Sequence, residues 1–219
     1  MMKKRVLVIL SGCGVRDGSE IHEATLILLA LDREGAEICC AAPDIPQTQC
    51  VDHYRGVSVR ENRNVLAESA RIARGKIVPL TQVDLSGIDA VVLPGGLGAA
   101  TNLCDFALTS GSVTVEPSVK KILLDAQAAG KPIGFACIAP VIAAALFGSM
   151  GVRYTVGNDQ GIAARLASTG AVHVETAVTG TAVDPRLKIV STPAYMLAGR
   201  ISEVEAGVAA LVRDVLKMA

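Results

Sequence analysis

Residues 5–10 (RVLVIL) form an unbroken apolar run ending in Ser11-Gly12-Cys13-Gly14, the pattern of a strand covered on both faces and closed by a turn. Three more runs repeat it: EICCAA at 37–42, AVVL at 90–93 and IGFA at 133–136. Between them the apolar positions switch to helical spacing. Residues 21–34, 64–74 and 116–129 predict helices stopped by Gly35, Gly75 and Gly130, glycine being the residue that best accepts the left-handed C-terminal cap. Residues 138–147 predict another helix, with Pro140 tolerated in its first turn. Residues 161–168 predict a short helix and residues 201–217 a long final one. Strand-like pieces near 153–156, 171–178 and 187–191 flank the short helix, and residues 50–60 read as a hairpin or loop excursion. This alternation predicts an α/β fold, a mainly parallel sheet with helices on both faces, in which runs 5–10, 37–42, 90–93 and 133–136 are parallel members. No repeat or linker interrupts it, so a single domain over residues 1–219 is expected.

Composition narrows the partners. The chain is 51% hydrophobic but only 3% aromatic, so Ala, Val, Ile and Leu must build the core. Formal net charge is zero, with three Tyr, three Phe and no Trp; neither a basic stripe nor a stacking platform for nucleic acid is present. No apolar run reaches the ~18 residues of a membrane span, so neither nucleic acid nor membrane is an expected partner. Six cysteines (Cys13, Cys39, Cys40, Cys50, Cys104 and Cys137) show no CxxC pair and no zinc-ligand spacing. Free thiols then predict a reducing, cytoplasmic setting and no metal. The opening MMKKRVLVILSGC imitates a lipoprotein cleavage box, but its apolar stretch, residues 6–10, is shorter than the roughly 7–15 residues of an export signal.

In an open parallel sheet, ligands gather beyond the carboxyl ends of the strands. Residues 11–24 (SGCGVRDGSEIHEA), 94–99 (PGGLGA) and 137–140 (CIAP) would meet there. Cys137 would sit where a strand turns sharply into a helix, and a helix N-terminus favours the thiolate. A cysteine in an apolar run is equally a small core hydrophobe; the residues alone leave both readings open. Glu20 and Glu23, three apart, share one helical face as candidate acids or as carboxylates complementing the helix dipole. Gly95-Gly96 would let the backbone approach a ligand closely. Asn102, His22 and His53 are secondary candidates for the same cleft. Gly12-x-Gly14-x-x-x-Gly18 fails as a dinucleotide loop, because its last glycine falls one place late and no acidic residue follows at a strand end about twenty positions on. No cofactor is expected.

The combination of GSEIHE, LPGG, GFACIAP and STPAYM resembles the glutamine-amidotransferase-like superfamily, which includes the Parkinson-associated deglycase and the Pfp-type peptidases. It is most similar to the ElbB, glyoxalase-like branch, and the resemblance runs along nearly the whole chain. It implies a flavodoxin-like three-layer sandwich, a nucleophilic Cys137 at the elbow and a homodimer. The family's acid sits twelve residues before the glycine that ends the first helix, which selects Glu23, with Glu20 as the alternative. The N–H groups of Gly96 and Ile138 would then form an oxyanion hole beside Cys137.

The chain also departs from the pattern. Many relatives carry His directly after the cysteine, where this chain has Ile138, and others carry one about twenty residues later, at Gly157-Asn158 here. His173-Val174-Glu175 imitates an amidotransferase element but lies inside a strand-like run, so His173 reads as structural. A Cys–His triad is therefore not expected. The resulting expectation is a cofactor-independent glyoxalase-like enzyme that converts small aldehyde substrates such as glyoxal to 2-hydroxy acids through Cys137 and Glu23. The alternative is a non-enzymatic regulatory or redox-sensing dimer in which Cys137 is oxidised. Either way, Cys137 is expected to label first with a thiol reagent, ahead of Cys39 and Cys40 in their strand.

Overall fold

Period-two alternation along the apolar runs sorts their side chains to opposite faces of one sheet. The computed structural model describes residues 3–219. In chain order its first half runs β1 (Arg5–Ile9), α1 (Ile21–Arg33), β2 (Glu37–Ala42), the hairpin β3 (Cys50–Asp52) and β4 (Val57–Val59), α2 (Val65–Ile72), β5 (Val78–Pro79), β6 (Ala90–Leu93) and α3 (Leu97–Thr101). There follow α4 (Pro117–Ala128), β7 (Ile133–Ala136), α5 (Pro140–Phe147), β8 (Arg153–Tyr154), α6 (Gln160–Ala167), β9 (Val172–His173), β10 (Ala182–Asp184), β11 (Ile189–Thr192) and α7 (Ile201–Met218).

Seven strands form the central sheet in the order β10-β11-β7-β6-β1-β2-β5. Only β10 against β11 is antiparallel; the four apolar runs pair parallel, as expected. Leu7, Ile9, Val91, Leu93, Ile133 and Phe135 face one layer, where α4 and α5 supply Val119, Leu123, Ile142 and Phe147. Val6, Val8, Ala90 and Val92 face the other, where α1 and α7 supply Ala24, Ile27, Leu31, Val208, Leu211 and Val215. This is the three-layer, flavodoxin-like arrangement. At roughly 1.5–3 kcal/mol per fully buried aliphatic side chain, both layers are needed to fix the sheet. Among the described residues, no helix is long and apolar enough to cross a membrane.

The differences from the pattern lie in short elements. β5 and β10 hold two and three residues and α3 only five, too few to show a period. The run 171–178 alternates like a strand, yet only Val172 and His173 pair. Val174 N–H still reaches the Tyr154 carbonyl at 2.8 Å, but β8 ends there and Gly157, at φ +76°, turns that segment away, so residues 175–178 continue no ladder among the described residues.

Topology places the site. The chain goes from β1 through α1 to β2 on one side, while β6 enters on the other side of β1. That reversal leaves a crevice beyond the carboxyl ends of β1 and β6.

Candidate active site

The two loops at this crevice are stitched together by their backbones. Glu20 N–H donates to the Gly95 carbonyl at 3.0 Å, Leu97 N–H to Val15 at 2.7 Å and Gly98 N–H to Gly18 at 3.0 Å. The glycines serve this packing rather than a nucleotide. A Cβ on Gly18 would lie 2.2 Å from the Cys13 nitrogen, and the N–H groups of Gly14, Gly18 and Ser19 are spent on carbonyls within the loop.

Cys137 follows β7 directly and occupies the left-handed region at φ +60°, while its N–H donates to the Thr192 carbonyl of β11 at 2.9 Å. A non-glycine residue held there costs on the order of 1–2 kcal/mol, which the surrounding contacts must offset. The turn sets the thiol beside Glu23, so that each group shifts the ionisation of the other, and the N–H groups of Gly96 and Ile138 favour the thiolate. Glu23 is fully buried on α1. Its Oε2 accepts from Gly95 N–H at 2.9 Å and its Oε1 from Tyr195 N–H at 3.2 Å. A Cβ on Gly95 would stand 2.4 Å from the Cys137 Cβ and 2.7 Å from Glu23 Oε2, so no side chain fits between them.

Burial governs the electrostatics. It pushes the Glu23 carboxyl up to about 7 against the opposing pull of Cys137, foremost, and of the N–H groups of Tyr195 and Gly95. Burial, reinforced by the Glu23 charge, also raises the Cys137 thiol well above the ordinary cysteine range. The expectation of a thiolate made by the helix N-terminus is therefore corrected. Two backbone N–H groups pull the value down, but desolvation at a residue that is only 8% exposed outweighs them. At neutral pH the pair rests as a thiol beside a carboxyl poised to accept its proton.

The labelling order is corrected with it. Cys13 and Cys39 are partly exposed, whereas Cys137, Cys40, Cys50 and Cys104 are buried. A bulky maleimide at neutral pH should modify Cys13 and Cys39 first and leave Cys137 nearly untouched, as peptide mass spectrometry after brief labelling would show. Early modification of Cys137 would mean that the site opens more widely than this structure does.

The other candidates do not reach the thiol. Glu20 caps α1: its Oε2 accepts from Glu23 N–H at 2.7 Å. Asn102 is a buried strut, with Nδ2 donating to the carbonyls of Ser11 and Asp17 and Oδ1 accepting from Thr48 N–H. His53 fastens the β3–β4 hairpin to the first loop, taking the Arg16 N–H at 3.2 Å with its Nδ1 against the Val51 carbonyl. His173 packs edge-on against Tyr154, 5.5 Å between ring centroids, and is structural as expected. His22, exposed beside Glu23, contacts the Tyr195 hydroxyl at 2.7 Å through Nδ1. Among the described hydrogen bonds, none joins a histidine to Cys137. Sequence reasoning missed Tyr195 because its contribution to Glu23 comes from the backbone; the turn Pro193–Met196 that aims it depends on Ala194 at φ +44°.

No family model matches the chain. It is 45% identical over 226 residues to the mitochondrial ES1 protein homolog of Rattus norvegicus, covering 99% of this chain and 84% of that one. It is also 45% identical over 224 residues to the human mitochondrial glutamine amidotransferase-like class 1 domain-containing protein 3, covering 98% and 83%. Among solved structures it is similar to an isoprenoid biosynthesis protein with an amidotransferase-like domain from Ehrlichia chaffeensis, at TM-score 0.91 and 35% identity, covering 98% of this chain and all of the other. The rat and human relatives are named as mitochondrial, which overturns the cytoplasmic expectation. Free thiols fit a reducing setting. They do not choose among reducing ones, and the cytosol was only one of these.

Proposed function

The chain belongs to the ES1 group of glutamine amidotransferase-like class 1 proteins, and from that footing we propose that it is a glutathione-independent, glyoxalase-like enzyme acting on small α-oxoaldehydes. The superfamily includes enzymes, and the observation that carries the finer reading is the Cys137–Glu23 pair, buried, adjacent across Gly95, electrostatically coupled and, among the described residues, without a histidine hydrogen-bonded to the thiol. A peptidase or glutaminase built on a Cys–His couple has no imidazole here to work with. Aldehyde chemistry needs only a nucleophile and one acid–base group. The slight exposure of Cys137 favours a substrate of very few atoms.

In this mechanism the Glu23 carboxylate takes the thiol proton as sulfur bonds to the aldehyde carbon. The carbonyl electron pair becomes an alkoxide beside the N–H groups of Gly96 and Ile138, and Glu23 returns the proton to give the hemithioacetal. The carboxylate next removes the former aldehyde hydrogen as a proton, leaving an enediolate, and delivers it to the neighbouring carbon while the hydroxyl proton of the sulfur-bearing carbon passes to the neighbouring oxygen, which yields a 2-hydroxy thioester. Water cleaves the thioester and frees the thiol. The net change is glyoxal plus water to glycolic acid, with no external oxidant or reductant. A carboxyl poised near 7 suits the repeated loss and gain of that proton. The setting we assign is mitochondrial, as the names of the rat and human relatives have it.

The test is turnover. Incubation with excess glyoxal should release many equivalents of glycolate per Cys137. The competing reading, a redox-sensing dimer, requires an accessible, low-pKa thiol, which burial opposes. Stoichiometric modification without product release, on glyoxal and on methylglyoxal, overturns the enzyme reading in favour of the sensor.

A further inference from the structure

We propose that Tyr195 is a positioning residue for Glu23: its phenol, hydrogen-bonded to His22, locks a strained turn so that its own backbone N–H stays on the Glu23 carboxyl. The proposal rests on Glu23 being the proton-transfer partner of Cys137.

Tyr195 bridges two consecutive residues of α1 with its two ends. The hydroxyl meets His22 Nδ1 at 2.7 Å, and the backbone N–H meets Glu23 Oε1 at 3.2 Å. Consecutive helical residues point about 100° apart, so a single neighbour can hold both only if its backbone and side chain diverge at the right angle. The turn that achieves this is costly. Ala194 sits at φ +44° without being glycine, and such a conformation persists only where its surroundings over-determine it. Within the turn, Met196 N–H bonds to the Pro193 carbonyl and Ala198 N–H to that of Ala194. The only side-chain tie from Tyr195 to α1 among the described residues is the one to His22.

Protonation states fit a clasp that holds through neutral pH. Burial and the charges of Glu20 and Glu23 raise the Tyr195 phenol, which keeps its proton through neutral pH and stands 2.7 Å from His22 Nδ1. The titratable groups acting on Glu23 are Cys137 from the β7 turn and Glu20 at the N-cap of α1, with the Tyr195 phenol of the 193–196 turn and its partner His22 of α1 alongside. Hydrogen bonds from Gly95 and Tyr195 both favour the ionised carboxyl. Gly95 is fixed by the loop stitching described above. The Tyr195 bond is held by the clasp, which makes it the adjustable one.

The experiment is the pH profile of Cys137 carbamidomethylation by iodoacetamide, a small reagent, followed on the Cys137 peptide by mass spectrometry. It needs no assumption about substrate. Wild type should show a rising limb near 7, and Glu23→Gln should remove it. Tyr195→Phe changes no charge at neutral pH but frees the turn, so its limb should move up by roughly half to one pH unit as the carboxylate loses a donor. His22→Ala should move it likewise. His22→Asn, whose amide oxygen can replace Nδ1 as acceptor, should restore it to within about 0.2 unit. Thermal melts confirm that each variant is folded, and His22→Ala carries the test if Tyr195→Phe does not fold. Limbs that overlay wild type in Tyr195→Phe and His22→Ala, while Glu23→Gln abolishes the limb, overturn the positioning role alone. A limb that survives Glu23→Gln shows that the assignment of Glu23 has failed, and the clasp falls with it.

Discussion

Cys137→Ala should abolish glyoxal turnover, lowering the initial rate by at least about 10⁴-fold, as expected when a covalent nucleophile is removed. The fold should survive. Alanine keeps the Cβ, so the left-handed backbone at 137 is no more strained than before, and the 137 N–H still bonds to the Thr192 carbonyl. Glu23 loses one partner but keeps the N–H groups of Gly95 and Tyr195. The cost of deleting one buried sulfur is therefore on the order of 1 kcal/mol. Two measurements on one preparation decide the matter: glycolate release and a thermal melt. A variant that melts near wild type yet keeps turnover within about tenfold excludes the thiol as nucleophile.

The site was only partly legible beforehand, and the boundary has a physical cause. Strands β1, β2, β6 and β7 were readable because cover on both faces demands unbroken apolar runs, and the turns after β1 and β6 were marked by Gly12, Gly14, Gly95 and Gly96. The pair β5 and β10 owes its place to neighbours. Val78–Pro79 is an edge of two residues, where proline is tolerated, and Ala182–Asp184 is fixed by antiparallel pairing to β11. Spacing brought Glu20 and Glu23 to the same end of α1 but could not say which turned inward. Glu20 precedes the helix with extended backbone, so its carboxylate folds back onto the Glu23 N–H instead of continuing the helical face. The charge state of Cys137 lay further out of reach. A helix N-terminus is visible in sequence, whereas the desolvation that outweighs it comes from tertiary packing, which no local pattern records.

Glu23→Gln should lower glyoxal turnover by about 10²–10⁴-fold, the usual worth of a general acid–base group, while Glu20→Gln should lose only a few-fold because its amide oxygen can still cap α1. The wild-type rate should rise with pH through about 7, since Glu23 must be ionised to accept the thiol proton; Glu23→Gln should lack that limb. Stability should move the other way. The folded-state value, about 7, lies above the ordinary carboxyl value of 4.5, so between these pH values the native protein holds a proton that the unfolded chain has released. Stability therefore falls as pH rises across that window, by on the order of 3 kcal/mol for a shift of this size. Glutamine has no proton to retain, and its variant should show a flatter dependence. The slope is the clean readout, because the new amide places an NH₂ group against one of the Gly95 and Tyr195 donors and lowers absolute stability by an amount unrelated to charge. Urea denaturation at several values between pH 4.5 and 7.5, beside rates on glyoxal, tests both effects. If Glu20→Gln proves the crippled variant, the acid lies one helical turn earlier than the geometry of this pair requires. If Glu23→Gln keeps both the activity limb and the stability slope, Glu23 is a buried structural carboxyl and not the proton carrier.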